Sequence, residues 1–291
     1  MECKKKVGLI SRPGQGGGAK LKLSKEQREQ FQAELRGQDF WSLPEVISYL
    51  EQHYQVSYSS VHIRKLLKSW GMYHYKPEPQ DYRRSEQAQE KLAERLQATA
   101  DVLERWQCPC SEIAFGFADE SSPEANSNKA RWWSFYKKPR QVNSHKSLRH
   151  NTFGFYALQG QSVVREIADS KAARFLTCLE KIRSANPTAR YCVVVWDNLP
   201  AHLVAEVQKE ARKHHIILVN LPPYSPDLNP IEKLWKQTKR IISLQGLIKS
   251  KERLASIITE SFLQLAASLS FAQKWVQDFF LPIFKNYPIP K

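Results

Sequence analysis

Residues 191–196 read YCVVVW, an uninterrupted run of six hydrophobic residues that ends at Asp197 and Asn198. A short apolar run without alternation is typical of a strand buried on both faces of a sheet. The segment 203–214 has a helical pattern, and IILVN at 216–220 forms a second strand-like run. Because parallel strands need a crossover connection of this kind, the segment predicts a βαβ unit within an α/β domain.

The neighbouring segments extend this α/β domain in both directions. Further strands are predicted at 112–118, 131–136, 152–158 and 163–167, and further helices at 171–184, 230–243 and 250–269. Three early strands followed by βαβ alternation and helices is the order expected of an RNase H-like mixed sheet flanked by helices. The aromatic segment at 271–284 should pack back on this body.

Three carboxylates occupy positions that such a fold could bring together. Asp119 lies towards the end of the run IAFGFADES, and Asp197 follows the YCVVVW strand. Glu232 lies in the first turn of a helix that Asn229 is predicted to cap. Two divalent cations about 3.5–4 Å apart can activate a water or a 3′ hydroxyl and stabilise the leaving oxygen of a phosphodiester. Since Mg²⁺ prefers oxygen ligands, the three carboxylates are candidates to hold two Mg²⁺ ions, for which Mn²⁺ would substitute.

Each carboxylate also has a structural interpretation. Asp197 could cap the turn into the next helix, and Glu232 could be a first-turn charge that interacts with the helix dipole. Glu120, the next residue after Asp119, is an alternative candidate for its role.

The chain is strongly basic, with 44 Lys and Arg against 29 Asp and Glu and a formal net charge of +15. This balance favours a polyanionic partner. Positive charge is concentrated in an arm at 1–22, which includes Arg12, and at 129–150, which contains Lys137, Lys138 and Arg140 and has no acidic residue. These residues are candidate DNA contacts. The alternative for the arm is a plain linker, and the alternative for 129–150 is a solvated loop.

Between the arm and the body, residues 23–77 predict three short helices. Ser24 can cap the first, and Ser42 and Glu45 have the spacing of a capping box at the start of the second. The third, at 59–70, is apolar on one face and ends at Gly71. Its polar face holds the candidate DNA contacts His62, Arg64, Lys65 and Lys68. This predicts a small all-α (winged) helix-turn-helix domain with 59–70 as its recognition helix, although similar helices occur in many proteins that never bind DNA.

The expected organisation therefore has five parts. A flexible basic arm at 1–22 and a helix-turn-helix domain at 23–77 precede a connector and helix at 78–110, whose apolar side holds Leu92, Leu96 and Val102. An RNase H-like catalytic domain at 111–270 and a tail at 271–291 complete the chain.

The five cysteines form no repeating framework, which suggests a reducing compartment. Cys108 and Cys110 have no second Cys or His pair at zinc spacing, so no zinc is expected. Without an apolar stretch of transmembrane length, the expected location is cytoplasmic and DNA-associated, with no membrane partner.

Two motifs of the chain resemble those of a known family. WDNLPAH at 196–202 and LPPYSPDLNPIEKLWKQTK at 221–239 are similar to DDE transposases of the mariner superfamily, in particular the branch of bacterial and archaeal insertion sequences. The resemblance covers roughly 20–270. It implies that Asp119, Asp197 and Glu232 are the catalytic triad and metal ligands. The resemblance also gives supporting roles to five residues, which are Asn198, His202, Tyr224, Asn229 and Trp235.

The family's activity implies a metal-dependent enzyme that binds terminal inverted repeats, frees 3′ hydroxyls and joins them to target DNA, as a homodimer on double-stranded DNA. Two features depart from the family pattern. The chain begins at what looks like the linker before a second helix-turn-helix subdomain, and SPEANSNKARWW at 122–133 is not the usual continuation after Asp119. Two alternatives therefore stay open: an inactive or co-opted remnant that only binds DNA, and a nuclease that cuts without joining.

Overall fold

The computed structural model describes residues 22–76, 81–126, 148–168, 172–198 and 204–285, together with residues 135, 140 and 142. The chain divides into two compact units, residues 1–79 and 80–291. Four of the predicted site residues, Arg12, Lys137, Lys138 and His202, lie outside the described residues. The predicted strand at 131–136 also lies outside them, apart from residue 135.

The first unit contains three helices, α1 (Lys25–Arg36), α2 (Leu43–Tyr54) and α3 (Ser60–Ser69), and no strand among residues 22–76. Capping boxes begin α1 at Ser24 and α2 at Ser42, as predicted. Gly71 ends α3 with a φ of +82°, and its N–H donates to Lys68 O at 3.0 Å. The core joins all three helices and consists of Leu23, Phe31, Leu35, Val46, Leu50 and Ile63.

The second unit is built on a five-stranded mixed sheet of order β3-β2-β1-β4-β5. The strands are β1 (Ile113–Ser121), β2 (Thr152–Gln159), β3 (Val163–Glu166), β4 (Tyr191–Trp196) and β5 (Ile216–Asn220). The pairs β1–β2 and β2–β3 are antiparallel, whereas β1–β4 and β4–β5 are parallel. This confirms the predicted α/β fold and the βαβ unit on which that prediction began.

Five helices surround the sheet: α4 (Ala88–Arg105), α5 (Ala172–Ala185), α6 (Ala205–Lys213), α7 (Pro230–Leu244) and α8 (Lys251–Ala266). Residues of α5 and α6 share one core with Ala118 and Trp196 of the sheet. Residues of α4, α7 and α8 share the other core with Phe117 and Val195. Trp275, Phe280 and Phe284 also pack in that core, around the ring of Phe115. The predicted packing of the aromatic segment on the body is therefore confirmed.

The end of β1 and one core position of α4 differ from the prediction. β1 continues to Ser121, because its last residues pair with the start of β2, so Asp119 lies inside the strand and not after it. In α4 the buried leucines are Leu92, Leu96 and Leu103, whereas Val102 is only half-buried. The choice of Val102 was wrong because Leu103, seven residues after Leu96, falls on the same helical face.

The four described cysteines, Cys108, Cys110, Cys178 and Cys192, are buried free thiols. Among the described residues, no helix has both the length and the apolar character needed to cross a membrane.

Candidate active site

The register of the parallel strands β1 and β4 determines how the first two carboxylates meet. Phe117 is paired with Val195 at the end of the run of paired residues. Asp119 and Asp197 each follow this pair by two residues, and the charge of Asp197 contributes to the raised pKa of Asp119, so the two carboxylates lie near each other. Because side chains alternate along a strand, Asp119 lies on the face of β1 that also carries Phe117. Two carboxylates that are 78 positions apart in the chain are therefore neighbours across one pair of strands.

The third carboxylate reaches the same edge on α7. Ile231, Leu234 and Trp235 are buried in the core that covers the Phe117 face, which fixes the helix over the sheet. Glu232 is in the first turn and is exposed to solvent. The start of the helix is held at β1, since the side-chain amide of Asn229 donates to the carbonyl of Ala118 at 3.3 Å.

Asn229 itself corrects the sequence prediction. It occupies the N-cap position of α7, but its side chain makes no capping hydrogen bond. The residue is 3% exposed, and its Nδ2 turns to the β1 backbone instead of to the helix. Its Oδ1 is buried and has no hydrogen-bond partner among the described residues. Asn229 thus joins the helix to the sheet and does not cap the helix with its side chain.

The pKa shifts of Asp119 and Glu232 indicate that the three carboxylates lie close together. Burial raises the pKa of Asp119 well above its usual value, and the negative charges of Glu232, Glu120 and Asp197 raise it further. The pKa of Glu232 is also raised, first by desolvation and then by Asp197, while the positive charge of Lys239 lowers it. Carboxylates that lie this close together favour a bound cation, which would offset their mutual repulsion.

The donor set fits a divalent cation by its chemistry. Three carboxylates supply the hard oxygen ligands that Mg²⁺ and Mn²⁺ prefer, and a dication would relieve the repulsion that raises the pKa of Asp119. The side chains of the described residues do not, however, form any group of three or more His, Cys, Asp or Glu arranged to hold a metal ion. The structure thus brings the three carboxylates to one edge without grouping them as a formed metal site.

The choice between Asp119 and Glu120 is a matter of strand alternation. Glu120 follows the parity of Ala118, whose side chain belongs to the core on the α5 side. Its charge accordingly acts on the thiol of Cys178, a residue of α5, where it raises the pKa. Asp119, and not Glu120, therefore lies on the Phe117 face, which α7 covers.

The predicted supporting residues that are described have structural contacts near this edge. Asn198 Nδ2 donates to Leu221 O, which ties together the segments that follow β4 and β5. Tyr224 has a φ of +57°, and the guanidinium carbon of Arg83 lies 3.8 Å from the centroid of its ring. Trp235 is 1% exposed and packs on Phe262, with ring centroids 4.8 Å apart.

Two arginines near this site were missed by the sequence analysis. Arg84 makes two hydrogen bonds to the Asp227 carboxylate, at 3.0 and 2.8 Å. Arg95 Nη1 donates to Asn220 O at 2.6 Å and to Leu221 O at 2.9 Å. Together they hold the segment between β5 and α7. No local pattern could have revealed these contacts, because Arg84 and Asp227 are 143 positions apart.

In the first unit, α3 presents the predicted basic face. His62, Arg64, Lys65 and Lys68 are exposed, whereas Ile63 is fully buried. The ring of His62 stacks on Tyr58 with centroids 4.6 Å apart. Arg140, the described member of the predicted loop contacts, is also exposed.

Two family models match parts of the chain. Residues 115–255 match the family model described as DDE superfamily endonuclease. This range includes all three carboxylates. Residues 37–95 match the model described as winged helix-turn helix, which includes α2 and α3.

Curated relatives match over a short segment. The Tcb2 transposase of Caenorhabditis briggsae is 43% identical over 44 residues, which are 15% of this chain and 16% of the relative. The Tc1 transposase of Caenorhabditis elegans has the same identity over the same length. The matched segment thus spans about a sixth of each relative.

Solved structures match over nearly the whole chain. The Mos1 transposase paired-end complex with left transposon end has a TM-score of 0.62 at 14% identity, over 99% of this chain and 83% of that chain. The Mos1 mariner paired end complex with Mg gives 0.62 at 14% identity, over 97% and 84%. These values establish a shared fold. The chain therefore shares the fold of these structures and has a helix-turn-helix domain followed by an RNase H-like domain.

Proposed function

We propose that this protein is a metal-dependent transposase that cleaves DNA at terminal inverted repeats and joins the freed 3′ ends to target DNA. The observation that carries the proposal is the effect of Glu232 and Asp197 on the pKa of Asp119, within the segment that matches the DDE superfamily endonuclease model. The motif at 221–239 supports a place in the branch of bacterial and archaeal insertion sequences.

In this proposal the three carboxylates hold two Mg²⁺ ions, for which Mn²⁺ substitutes. When bound, the ions activate the attacking oxygen and stabilise the leaving oxygen of the phosphodiester. Burial and the neighbouring carboxylates raise the pKa of Asp119, and the positive charge of a bound cation would lower it and favour the ionised form that binds metal. Asn229 and Asn198 keep the ends of β1, β4 and β5 in place, while Trp235 fixes α7 above the sheet. Tyr224 and His202 complete the supporting set.

The DNA partner is double-stranded. We assign its recognition to the exposed face of α3, with His62, Arg64, Lys65 and Lys68. Arg12, Lys137, Lys138 and Arg140 add contacts to phosphates, which strengthen binding without specifying sequence. We further propose that the protein acts as a homodimer on DNA and that it is located in the cytoplasm. Its domains would have the bounds expected from the sequence.

The first test is nicking of supercoiled plasmid by the purified chain in Mg²⁺ or Mn²⁺. We expect Glu232→Gln and Asp197→Asn to lower the rate by about 10²–10³-fold, the typical cost of removing a charge-stabilising group from an active site. DNA binding should be unchanged in both variants. Glu252→Gln is a matched control, because Glu252 is also a first-turn glutamate but belongs to α8. Cutting at the wild-type rate in either active-site variant would contradict the assignment.

The same assay separates the alternatives. Binding without nicking would indicate a remnant that acts as a DNA-binding protein. Nicking without the joining of a 3′-hydroxyl oligonucleotide to plasmid would indicate a nuclease alone. The presence of all three carboxylates at one edge argues against the remnant.

A further inference from the structure

In the part of the chain that the structure describes, five buried side-chain atoms are without a hydrogen-bond partner, and three of them lie close to the candidate active site. Ser121 Oγ comes two residues after Asp119, so the two side chains share a face of β1. Trp235 Nε1 belongs to a ring that lies against Gly154, the residue paired with Asp119 on β2. The third atom is Oδ1 of Asn229. Unsatisfied polar atoms are thus concentrated where the carboxylates are.

Asn229 links the segments that carry two of the three carboxylates. Its side-chain amide donates to Ala118 O, one residue before Asp119, at 3.3 Å. Its backbone carbonyl accepts the N–H of Glu232 at 3.1 Å. Because Asn229 is buried, bulk solvent does not satisfy Oδ1. The unpaired oxygen is therefore held at the junction of the strand that carries Asp119 and the helix that carries Glu232.

The chemistry of this oxygen restricts what can bind to it. An amide oxygen only accepts hydrogen bonds, and ionised carboxylates also only accept, so the neighbouring acids cannot satisfy it. A buried acceptor that stays unpaired costs free energy, which indicates a partner outside the side chains of the described residues. Mg²⁺ keeps several waters when carboxylates bind it, and such a water directs its oxygen at the metal and has both hydrogens free to donate. A metal-bound water is the donor that fits this acceptor.

We propose that Asn229 is a positioning residue for the divalent cation, whose bound water donates a hydrogen bond to Asn229 Oδ1. The inference rests on the proposed function, because it needs a cation held by Asp119 and Glu232. It assigns a role to the half of the amide that does not bond to Ala118. Groups that hydrogen-bond to the ligands of a metal orient them, and removing such a group typically lowers metal affinity by about 10–100-fold.

A purely structural role predicts a different pattern. If Asn229 only joins α7 to β1, the important group is Nδ2, which bonds to Ala118 O. Every variant that removes this donor would then change metal affinity alike. In the proposed role, metal affinity follows the acceptor oxygen instead.

The test measures Mn²⁺ binding to the full chain without DNA, from the electron paramagnetic resonance signal of free Mn²⁺. Asn229→Leu is similar in volume and removes both polar atoms, so the affinity for Mn²⁺ should fall by about 10–100-fold. Asn229→Asp loses the donor but keeps an acceptor oxygen, and it should bind Mn²⁺ at least as tightly as the wild type. Asn229→Ala repeats the removal with a smaller side chain that introduces no clash. Thermal unfolding without metal identifies a temperature at which every variant is folded.

Asn186→Leu is the matched control. Asn186 is also a buried asparagine, but its Nδ2 donates to Ile182 O at 2.9 Å and its Oδ1 accepts the N–H of Gln161 at 2.6 Å. It lies in the segment before β4, whereas Asp197 follows β4. This variant should lower Tm and leave the affinity for Mn²⁺ unchanged.

Three results would overturn the inference. They are wild-type affinity for Mn²⁺ in both Asn229→Leu and Asn229→Ala, a loss in Asn229→Asp as large as in Asn229→Leu, and an equal loss in Asn186→Leu.

Plasmid nicking separates these failures from that of the proposed function. Nicking by the wild type together with unchanged Mn²⁺ affinity in Asn229→Leu would refute only the role of Asn229. Weakened Mn²⁺ binding in Asn229→Leu, without nicking by the wild type, would refute only the transposase activity. A wild type that binds no Mn²⁺ would refute both.

Discussion

The recognition helix of the first unit and the carboxylate edge of the second place their functional side chains by different means. On α3 the basic residues share a face because the helical repeat puts them there, and the buried Ile63 holds the helix. At the sheet edge, Asp119 and Asp197 meet because two strands pair in one register. A site made by one helix depends on that helix forming, whereas a site made by strand register depends on packing far along the chain.

The largest expected effect comes from the packing that supports Glu232. Trp235→Ala should lower the free energy of unfolding of the body by about 3–5 kcal/mol, because it leaves a cavity between α7 and the sheet. The ring fills this space closely, since a Cβ on Gly154 would meet Trp235 at 2.6 Å. Urea unfolding, with hydrogen exchange to follow the two units separately, measures the effect.

Trp235→Phe is the control for the same position. The indole Nε1 has no hydrogen-bond partner among the described residues, so we expect this variant to cost only about 1.5 kcal/mol or less. In Trp235→Ala, amides of α7 should lose protection from exchange while those of α3 keep it. An equal loss in α3 would contradict the view that the helix of the first unit does not depend on packing in the second.

A second prediction concerns the carboxylate edge itself. The pKa of Asp119 is raised in the folded chain, so its protonated carboxyl group favours the folded state. This contribution to stability is fully present at low pH and is lost as the pH rises through the pKa of the folded chain. At neutral pH without metal, Asp119→Asn should therefore raise Tm by a few degrees, at roughly 2–4 °C per kcal/mol. The difference should disappear below about pH 4, near the ordinary pKa of an aspartate.

Added Mg²⁺ should reverse the order of the Tm values of the wild type and Asp119→Asn. It should raise the Tm of the wild type and leave Asp119→Asn nearly unchanged, because the variant lacks a ligand. A wild type more stable than the variant in the absence of metal would contradict the electrostatic account.

The first unit should respond to a local change alone. Ser42→Ala removes the side chain that accepts the Glu45 N–H at the start of α2, at a cost of about 0.5–2 kcal/mol. Ser42→Asp should keep most of that stability. Urea unfolding of both variants measures this, and plasmid nicking by the body should not change. A loss of nicking with intact DNA binding would show that the two units are coupled.

The smallest effect is expected at the long-range ion pair. The Arg84 side chain is 11% exposed and that of Asp227 is 48% exposed, so Arg84→Ala should cost at most about 1 kcal/mol. Hydrogen exchange should nevertheless speed up at the amides of Leu228 and Asn229, which bond within the segment that Arg84 holds. Arg84→Lys keeps the charge but loses one of the two hydrogen bonds to the carboxylate. Its exchange rates should therefore lie between those of the wild type and those of Arg84→Ala. Unaltered exchange in Arg84→Ala would mean that the pair does not order this segment.

Much of the fold could be predicted from the sequence where its signals are local. The capping boxes at Ser24 and Ser42 join groups three residues apart, so the sequence contains both partners. The bounds of β4 and β5 were predicted to the residue, because their apolar runs stop at polar positions. The candidate carboxylates also came from the sequence, as acidic residues after such runs or in a first helical turn.

Other features needed the tertiary structure. Local sequence offers Asp119 and Glu120 equally, and only the packing of the sheet shows which of them lies on the face that α7 covers. The side-chain amide of Asn229 donates to the carbonyl of Ala118 on β1, 111 positions away, and does not cap its own helix.

The sequence by itself determined which segments are helices and strands and which acids could act, since those signals lie within a few residues of one another. Strand register, the face of each side chain and the contacts of Arg84 and Arg95 were decided by tertiary packing. They depend on atoms that are up to 143 positions apart in the chain and become neighbours only when the cores on both faces of the sheet form.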